Sequence, residues 1–454
     1  MYKFFPAAIF LMLTSTMSFG QNFPDSQLQK GIDQLLFEKF PQNGPGVAVL
    51  VARSGAITYE KAIGNADLEL KVSLRPQMLF DLGSITKQFT AVAILQLMEK
   101  GKLALTDSLQ KYIPGYPSKG YTITIENLLT HTSGMPDYMQ MGYKGPFLQR
   151  RDFTPKELID LFKNEPLEFE PGTQFKYSNS GYYLLGYIIQ VITGEKYERY
   201  IRENILEPLS LTHTFYKEPN AIIPDHVHGY KKETANYENA DFWSPTIAYS
   251  AGGLASNPED LFKWHQGLYA YKILKKETLE RAFMPYILKN GTATGYGYGW
   301  YIATTNGIKS IGHGGAITGF LTNETYYPKE DVYIVILCNC DCAPMTDLPA
   351  TIASVALGKP MQADRRITDS ILNSYTGTYT MISDAKRTIV ISREKDHLIA
   401  NVSGQGTFLL IFQSEKNFSF KGILDLNCEF VRKNDKVTMF IAHQNGQYVW
   451  EKTK

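Results

Sequence analysis

Phe80-Asp81-Leu82-Gly83-Ser84-Ile85-Thr86-Lys87-Gln88-Phe89-Thr90-Ala91 sets a turn-like Leu-Gly-Ser directly before a long apolar run. Ile85, Phe89, Val92, Ile94, Leu95, Leu97 and Met98 form a wide helical face and Gly101 follows as a stop, so the spacing predicts a helix over 84–100. Ser84 then lies in the first turn, where unpaired backbone N–H groups and the helix dipole favour a developing negative charge. Lys87, three residues on, shares that face and reaches the Ser84 hydroxyl. A lysine buried and kept neutral there can accept the serine proton and so activate a nucleophile. Ser-x-x-Lys also occurs at Ser108–Lys111 and Ser392–Lys395, in stretches that read as solvated surface. Spacing alone therefore leaves Ser84 open to the plainer role of a helix cap.

Two other stretches add chemistry. Tyr177-Ser178-Asn179 closes the turn-rich segment Pro171–Gly181 and leads into an apolar helix over about Gly181 to Ile192, ended by Gly194. A phenol and an amide two residues apart can point into one cleft, although Tyr237-Glu238-Asn239 repeats the pattern in a polar stretch. Gly312-His313-Gly314-Gly315-Ala316 precedes a strand-like run over Gly319–Tyr327. Paired glycines let a substrate lie against the backbone edge, and His313 would add a polar head beside it.

Together with Leu128-Leu129-Thr130-His131-Thr132-Ser133-Gly134 and Ser250-Ala251-Gly252-Gly253-Leu254, these motifs resemble the serine β-lactamase and penicillin-binding-protein superfamily. The resemblance covers roughly residues 30–355 and is greatest to the branch of class C β-lactamases, D-aminopeptidases and esterases. It implies an α/β fold, a β-lactamase-like antiparallel sheet flanked by helices plus a mainly helical subdomain, with the site between them. It further implies an acyl-enzyme on Ser84, with Lys87 and Tyr177 sharing the proton traffic. Asn179 would hydrogen-bond Lys87 and the substrate amide, and His313, Gly314 and Gly315 would contact substrate. The backbone N–H groups of Ser84 and Ala316 would form the oxyanion hole. Neither a metal nor an organic cofactor is implied, and His131 reads as loop support.

One position departs from the pattern. β-lactamases of this branch carry Lys in the third motif, where this chain has His313. An imidazole with an ordinary pKa near 6.5 is mostly neutral at pH 7, so a permanent cation for a β-lactam carboxylate is missing there. The expectation is a serine hydrolase acting on an amide or ester bond, with D-amino-acid peptides or small esters favoured and cell-wall fragments among the partners. The alternatives are a β-lactamase, and a penicillin-binding or sensor protein with little turnover.

Composition bounds the rest. In 454 residues, 44% hydrophobic and 20% charged residues supply a large core and exclude a disordered chain. Forty-six Lys+Arg against 45 Asp+Glu leave no net field for nucleic acid or an anionic membrane. Lys3, the apolar run Phe4–Leu13 and Ser18-Phe19-Gly20 have the shape of a signal peptide over 1–20, cut before Gln21, which predicts a periplasmic or secreted protein. That run is too short to span a bilayer and no later apolar run reaches eighteen residues, so no membrane span is expected in the mature chain. Cys338, Cys340 and Cys342 alternate and would share one face if the strand ran on; their spacing is not that of a zinc site. In an exported protein a disulfide among these three and Cys428 is favoured over a metal site, with its pairing open.

Val47–Ala52 reads as a buried strand, Ala56–Lys61 as its hairpin partner and Tyr333–Cys338 as another buried strand. After about residue 365 the texture changes to short alternating runs at 388–392, 398–402, 408–412, 418–420, 429–432, 437–442 and 448–450. Lys395-Asp396, Lys433-Asn434-Asp435 and Asn445-Gly446 are the turn signals between them. The reading is a hydrolase domain over 21–358, a linker over 359–370 and an antiparallel β-barrel over 371–454. That barrel resembles the small lipocalin-like domains attached to many such hydrolases.

Overall fold

A computed structural model describes residues 25–141, 148–233, 236–305, 308–345, 347–358, 365–403, 406–420, 427–433, 436–443 and 447–453. The segment read as a signal peptide, residues 359–364 of the linker and the Asn434-Asp435 and Asn445-Gly446 turns lie outside the described residues.

Val47–Arg53 carries no polar residue before its last position, and it is buried to match, as an inner strand of a six-stranded antiparallel sheet. The order across the sheet is Tyr301–Thr305, Ile308–Ile317, Phe320–Tyr327, Val332–Cys338, Val47–Arg53, Ala56–Ile63. Strands from the two ends of this unit therefore pair inside the sheet, Val47 with Cys338 and Arg53 with Val332. Side chains alternate between two cores, as the period of a strand requires. Val47, Val49 and Val51 pack with Ile334 and Ile336 against the helices Asp25–Lys39 and Leu348–Ala356. Ala48, Leu50, Val335 and Leu337 face the other way, into the large core of the helical region.

Within that second core, Thr86–Glu99 is buried from Thr86 to Leu97, so it is a central helix and not an amphipathic one lying on a surface. It is preceded by a 3₁₀ turn over Gly83–Ile85, and Gly101 breaks it with φ 67°. Phe89 stacks on Trp264 at 4.0 Å, and burying such a ring is worth roughly 1.5–3 kcal/mol. The helix Asn179–Thr193 ends at Gly194, which takes the left-handed conformation of a C-terminal cap.

Eight strands from Gly377–Met381 to Gln447–Lys452 close a separate barrel, sealed where Tyr379 pairs with Lys452. Its interior is filled by stacked rings: Tyr375 on Phe430 at 3.8 Å, Phe418 on Phe430 at 4.3 Å, Phe440 on Trp450 at 5.7 Å. The first of these strands, and the short helix Asp369–Tyr375 that contributes Leu372 and Tyr375 to the barrel core, were not among the elements read from sequence.

The run of alternating cysteines is corrected here. The strand stops at Cys338 because the buried Asn339 side chain accepts from Gly46 N–H at 2.6 Å and donates to the Asn65 and His228 carbonyls. Cys340 and Cys342 are joined as a disulfide, while Cys338 and Cys428 are buried free thiols. No helix among the described residues is long and apolar enough to cross a membrane.

Candidate active site

Ser84 lies in the 3₁₀ turn, half-buried, and Lys87 stands one turn on with no exposed surface. Lys87 Nζ donates to Ser84 Oγ at 3.0 Å, Asn179 Oδ1 at 2.7 Å and the Ala251 carbonyl at 2.8 Å. Three acceptors satisfy an ammonium. A neutral amine has two donors and one lone pair, so the same placement lets it donate to Asn179 and Ala251 while its lone pair meets the Ser84 proton. Burial pushes the Lys87 pKa down to about 7, against the opposing pull of Asp137, so both forms are populated near neutrality.

The Tyr177 ring covers Lys87 Nζ at 4.8 Å from its centroid. Its hydroxyl is buried and faces Ser84 without a hydrogen bond of standard geometry. Burial, reinforced by Tyr301, holds its pKa well above 10, so at rest it is a protonated phenol. The segment is pinned by His131, whose Nδ1 accepts from Ser178 N–H at 3.1 Å and whose carbonyl accepts from Lys176 N–H at 3.0 Å. His131 takes φ +56° and packs its ring 4.2 Å from that of Tyr177. On the opposite side the backbone breaks sharply at Tyr249 (φ 41°, ψ −130°). Ser250 then bonds the Tyr182 carbonyl at 2.8 Å, which turns the Ala251 carbonyl onto Lys87.

Close backbone approach explains the glycines. A Cβ at Gly83 (φ +54°) would lie 2.9 Å from Ala316 N, and one at Gly315 would lie 2.0 Å from the Leu82 carbonyl oxygen and 2.2 Å from Thr322 Oγ1. The strand Ile308–Ile317 is thus pressed onto the serine turn, its neighbouring strand tied by Thr322 Oγ1 to the Leu82 carbonyl at 2.8 Å, and Ala316 N lies beside Gly83, the residue before Ser84. Its neighbour Tyr301–Thr305 pairs only as far as Gly312, so on that side residues 313–317 have no strand partner among the described residues. Such an edge can pair with a substrate main chain.

His313 differs from the expected polar head beside the substrate: it is tucked in, 3% exposed, with Nε2 3.0 Å from Tyr296 Oη and Nδ1 2.5 Å from the Gly314 carbonyl. Its own N–H donates to Glu324 Oε1 at 3.1 Å. Burial, then the nearby Lys87, drive its pKa down to about 3, so the imidazole is neutral. Tyr296, brought in from another segment, and the Gly314 carbonyl partner both ring nitrogens in this inward position.

With the site in view, the family model described as Beta-lactamase matches residues 34–357. The chain belongs to the Beta-lactamase family. Penicillin-binding protein 4* of Bacillus subtilis is 30% identical over 440 residues, spanning 91% of this chain and 95% of that one. The octameric penicillin-binding protein homologue of Pyrococcus abyssi superposes with TM-score 0.65 at 24% identity, covering 94% of this chain and all of the other. A D-stereospecific amidohydrolase from Streptomyces sp. reaches TM-score 0.63 at 25% identity, over 73% of this chain and 98% of its own. At this level the molecule is a β-lactamase-family serine hydrolase of penicillin-binding-protein type, with a closed eight-stranded barrel behind it.

In this family member the fold brings Ser84, Lys87, Tyr177, Asn179 and the Gly314-Gly315-Ala316 edge together around one cleft. Sequence reasoning missed four participants: Asp137, the Ala251 carbonyl, Tyr296 and Glu324. Asp137 follows a turn-forming Pro136 and caps Tyr138–Gln140, which signals a cap and nothing more. Asn179 reaches Lys87 as expected, and one N–H of its Nδ2 donates to Asp137 Oδ2 at 2.9 Å. A cavity of about 430 Å³ is lined by Gly252, Ile317, Asp81, Lys217, His226 and Trp243. Lys217 and His226 both bond the buried Asp81 carboxylate at 2.7 Å, which leaves no unpaired ammonium at that wall. Outside this cluster, Asp67, Glu69 and His228 bring ligand atoms within 4.8 Å of one another, but Glu69 already accepts from Tyr230 and Asn239.

Proposed function

We propose that the chain is an exported serine hydrolase that cleaves a D-configured amide or a small ester through an acyl-enzyme on Ser84, in preference to β-lactams. The observation that carries the reading is the fully buried Lys87 amine 3.0 Å from Ser84 Oγ with its other two partners fixed. As Ser84 Oγ bonds the carbonyl carbon, its proton passes to the neutral Lys87, and the oxyanion forms against the N–H groups of Ser84 and Ala316. Lys87 or the Tyr177 phenol then delivers a proton to the departing nitrogen or oxygen as the old bond breaks. Water attacks the acyl-enzyme, giving its proton back through the same groups, and the acid leaves with Ser84 restored.

The preference against β-lactams is supported by the neutral, inward-facing His313, which supplies no cation for a carboxylate at the third motif. The similarity to a D-stereospecific amidohydrolase points the same way. Export rests on the segment over 1–20.

The test is intact mass and product release with a chromogenic cephalosporin, a p-nitrophenyl ester, a D-amino-acid amide and a D-Ala-terminated peptide, on wild type and Ser84→Ala. Turnover of ester, amide or peptide with little cephalosporin hydrolysis, all lost in Ser84→Ala, is the expected result. Fast cephalosporin hydrolysis would overturn the substrate preference, and a stable stoichiometric adduct without release would favour the penicillin-binding reading.

A further inference from the structure

Asp137 and Lys87 are two buried groups of opposite charge separated by a single amide. Asp137 is 6% exposed, and its Oδ1 accepts from Met139 N–H at 3.1 Å, which is an ordinary cap. Its other oxygen does something a cap does not need: it receives Asn179 Nδ2 at 2.9 Å, and the far end of that amide, Oδ1, receives Lys87 Nζ at 2.7 Å. Asp137 forms no ion pair within 4 Å among the described residues, and all three acceptors of Lys87 are uncharged. A buried carboxylate and a buried ammonium are each costly alone. Burial raises the Asp137 pKa and lowers that of Lys87, and the charge that opposes burial at each is the other.

We propose that Asp137 is a positioning residue for the hydrolase reaction: through Asn179 it fixes the amide so that Oδ1 faces Lys87, and its negative charge holds a proton on Lys87, setting the acid limit of Ser84 activation. This rests on the acyl-enzyme reading given above. The orientation follows from hydrogen-bond roles, since a carboxylate only accepts and so must take the amide NH₂, leaving the carbonyl for the amine.

The other groups facing Lys87 do not supply a charge near neutrality. His131, from the loop before Asp137, and His313, from the pressed strand, are both held neutral by burial. Tyr177 and Tyr182, from the segment and helix around Asn179, remain protonated phenols. The helix ending at Gly252 offers only the Ala251 carbonyl. One rival carboxyl titrates in the same window: Glu324, pushed up to about 7 by burial, which accepts from Gln88, the helix neighbour of Lys87.

The experiment is the pH dependence of Ser84 labelling by a fluorophosphonate in the full chain, with thermal unfolding of each variant measured alongside. Without the negative charge Lys87 loses its proton more readily, so in Asp137→Asn the acid midpoint moves down by about one unit, the low end of the effect of a nearby opposite charge. The rate on the alkaline plateau falls less than about tenfold. Asp137→Ser, which keeps a capping oxygen without the charge, shifts in the same direction and serves if the amide variant folds poorly. Asp137→Glu, which restores the charge, returns the midpoint towards that of wild type. An unchanged midpoint in folded Asp137→Asn and Asp137→Ser overturns the proposal, as does a shift seen in Glu324→Gln but in neither of them. Wild type that is not labelled at Ser84 at any pH is a failure of the acyl-enzyme reading instead.

Discussion

Glu324 stands directly across the sheet from His313 and accepts both Gln88 Nε2 and the His313 N–H, so one carboxyl ties the serine helix to the strand that borders the cleft. Burial raises its pKa from 4.5 to about 7. A carboxyl whose pKa is raised on folding adds stability that is complete below the unfolded value and lost as pH rises through the folded one. Glu324→Gln is therefore expected to gain stability relative to wild type between about pH 5 and pH 8, by on the order of 2 kcal/mol. Urea unfolding at the two pH values checks this, and a difference that does not change with pH would refute it. The pairing of Ser84 with Lys87 was legible because i,i+3 spacing on a helix is a local property. Neither the state of Lys87 nor the inward turn of His313 was, since both depend on burial by distant segments.

At the scale of elements, two adjacent glycines in one strand have opposite tolerances. Gly315 faces the serine turn, where a Cβ would fall 2.0 Å from a backbone oxygen, while a Cβ at Gly314 would meet nothing nearer than 3.6 Å. Gly315→Ala is expected to cost at least about 2 kcal/mol and to lose Ser84 labelling, because the strand must retreat from the turn. Gly314→Ala should stay within about 0.5 kcal/mol of wild type. Thermal unfolding of both, with labelling rates, separates them; equal losses would show that strand and turn are not in such contact. Elements with clean periodicity were readable: the strand Val47–Arg53, the serine helix and most barrel strands. Asp369–Tyr375 was not, because seven residues with few apolar positions carry too little pattern to outweigh the strands around them.

At the scale of the molecule, the described residues fall into cores that share no member, one set built on the sheet and serine helix and one inside the barrel. A chain ending at residue 358 keeps every member of the first set. It is expected to label Ser84 within about threefold of the full chain and to lose one unfolding transition, since domains with their own cores unfold as units. Calorimetry and labelling together decide; loss of labelling in a folded truncation would make the barrel part of the site. The sequence by itself determined the family, the order of the motifs, the serine and its lysine, and the all-β character of the last eighty or so residues, because these rest on short-range spacing and periodicity. Only the tertiary structure decided that Asp137 reaches Lys87 through Asn179, that Ala251 lends its carbonyl, that His313 turns inward and that Cys340 pairs with Cys342. Apart from that disulfide, each is a contact between segments far apart in sequence, and burial, which sets the charge of the groups that meet, exists only once the chain has closed around them.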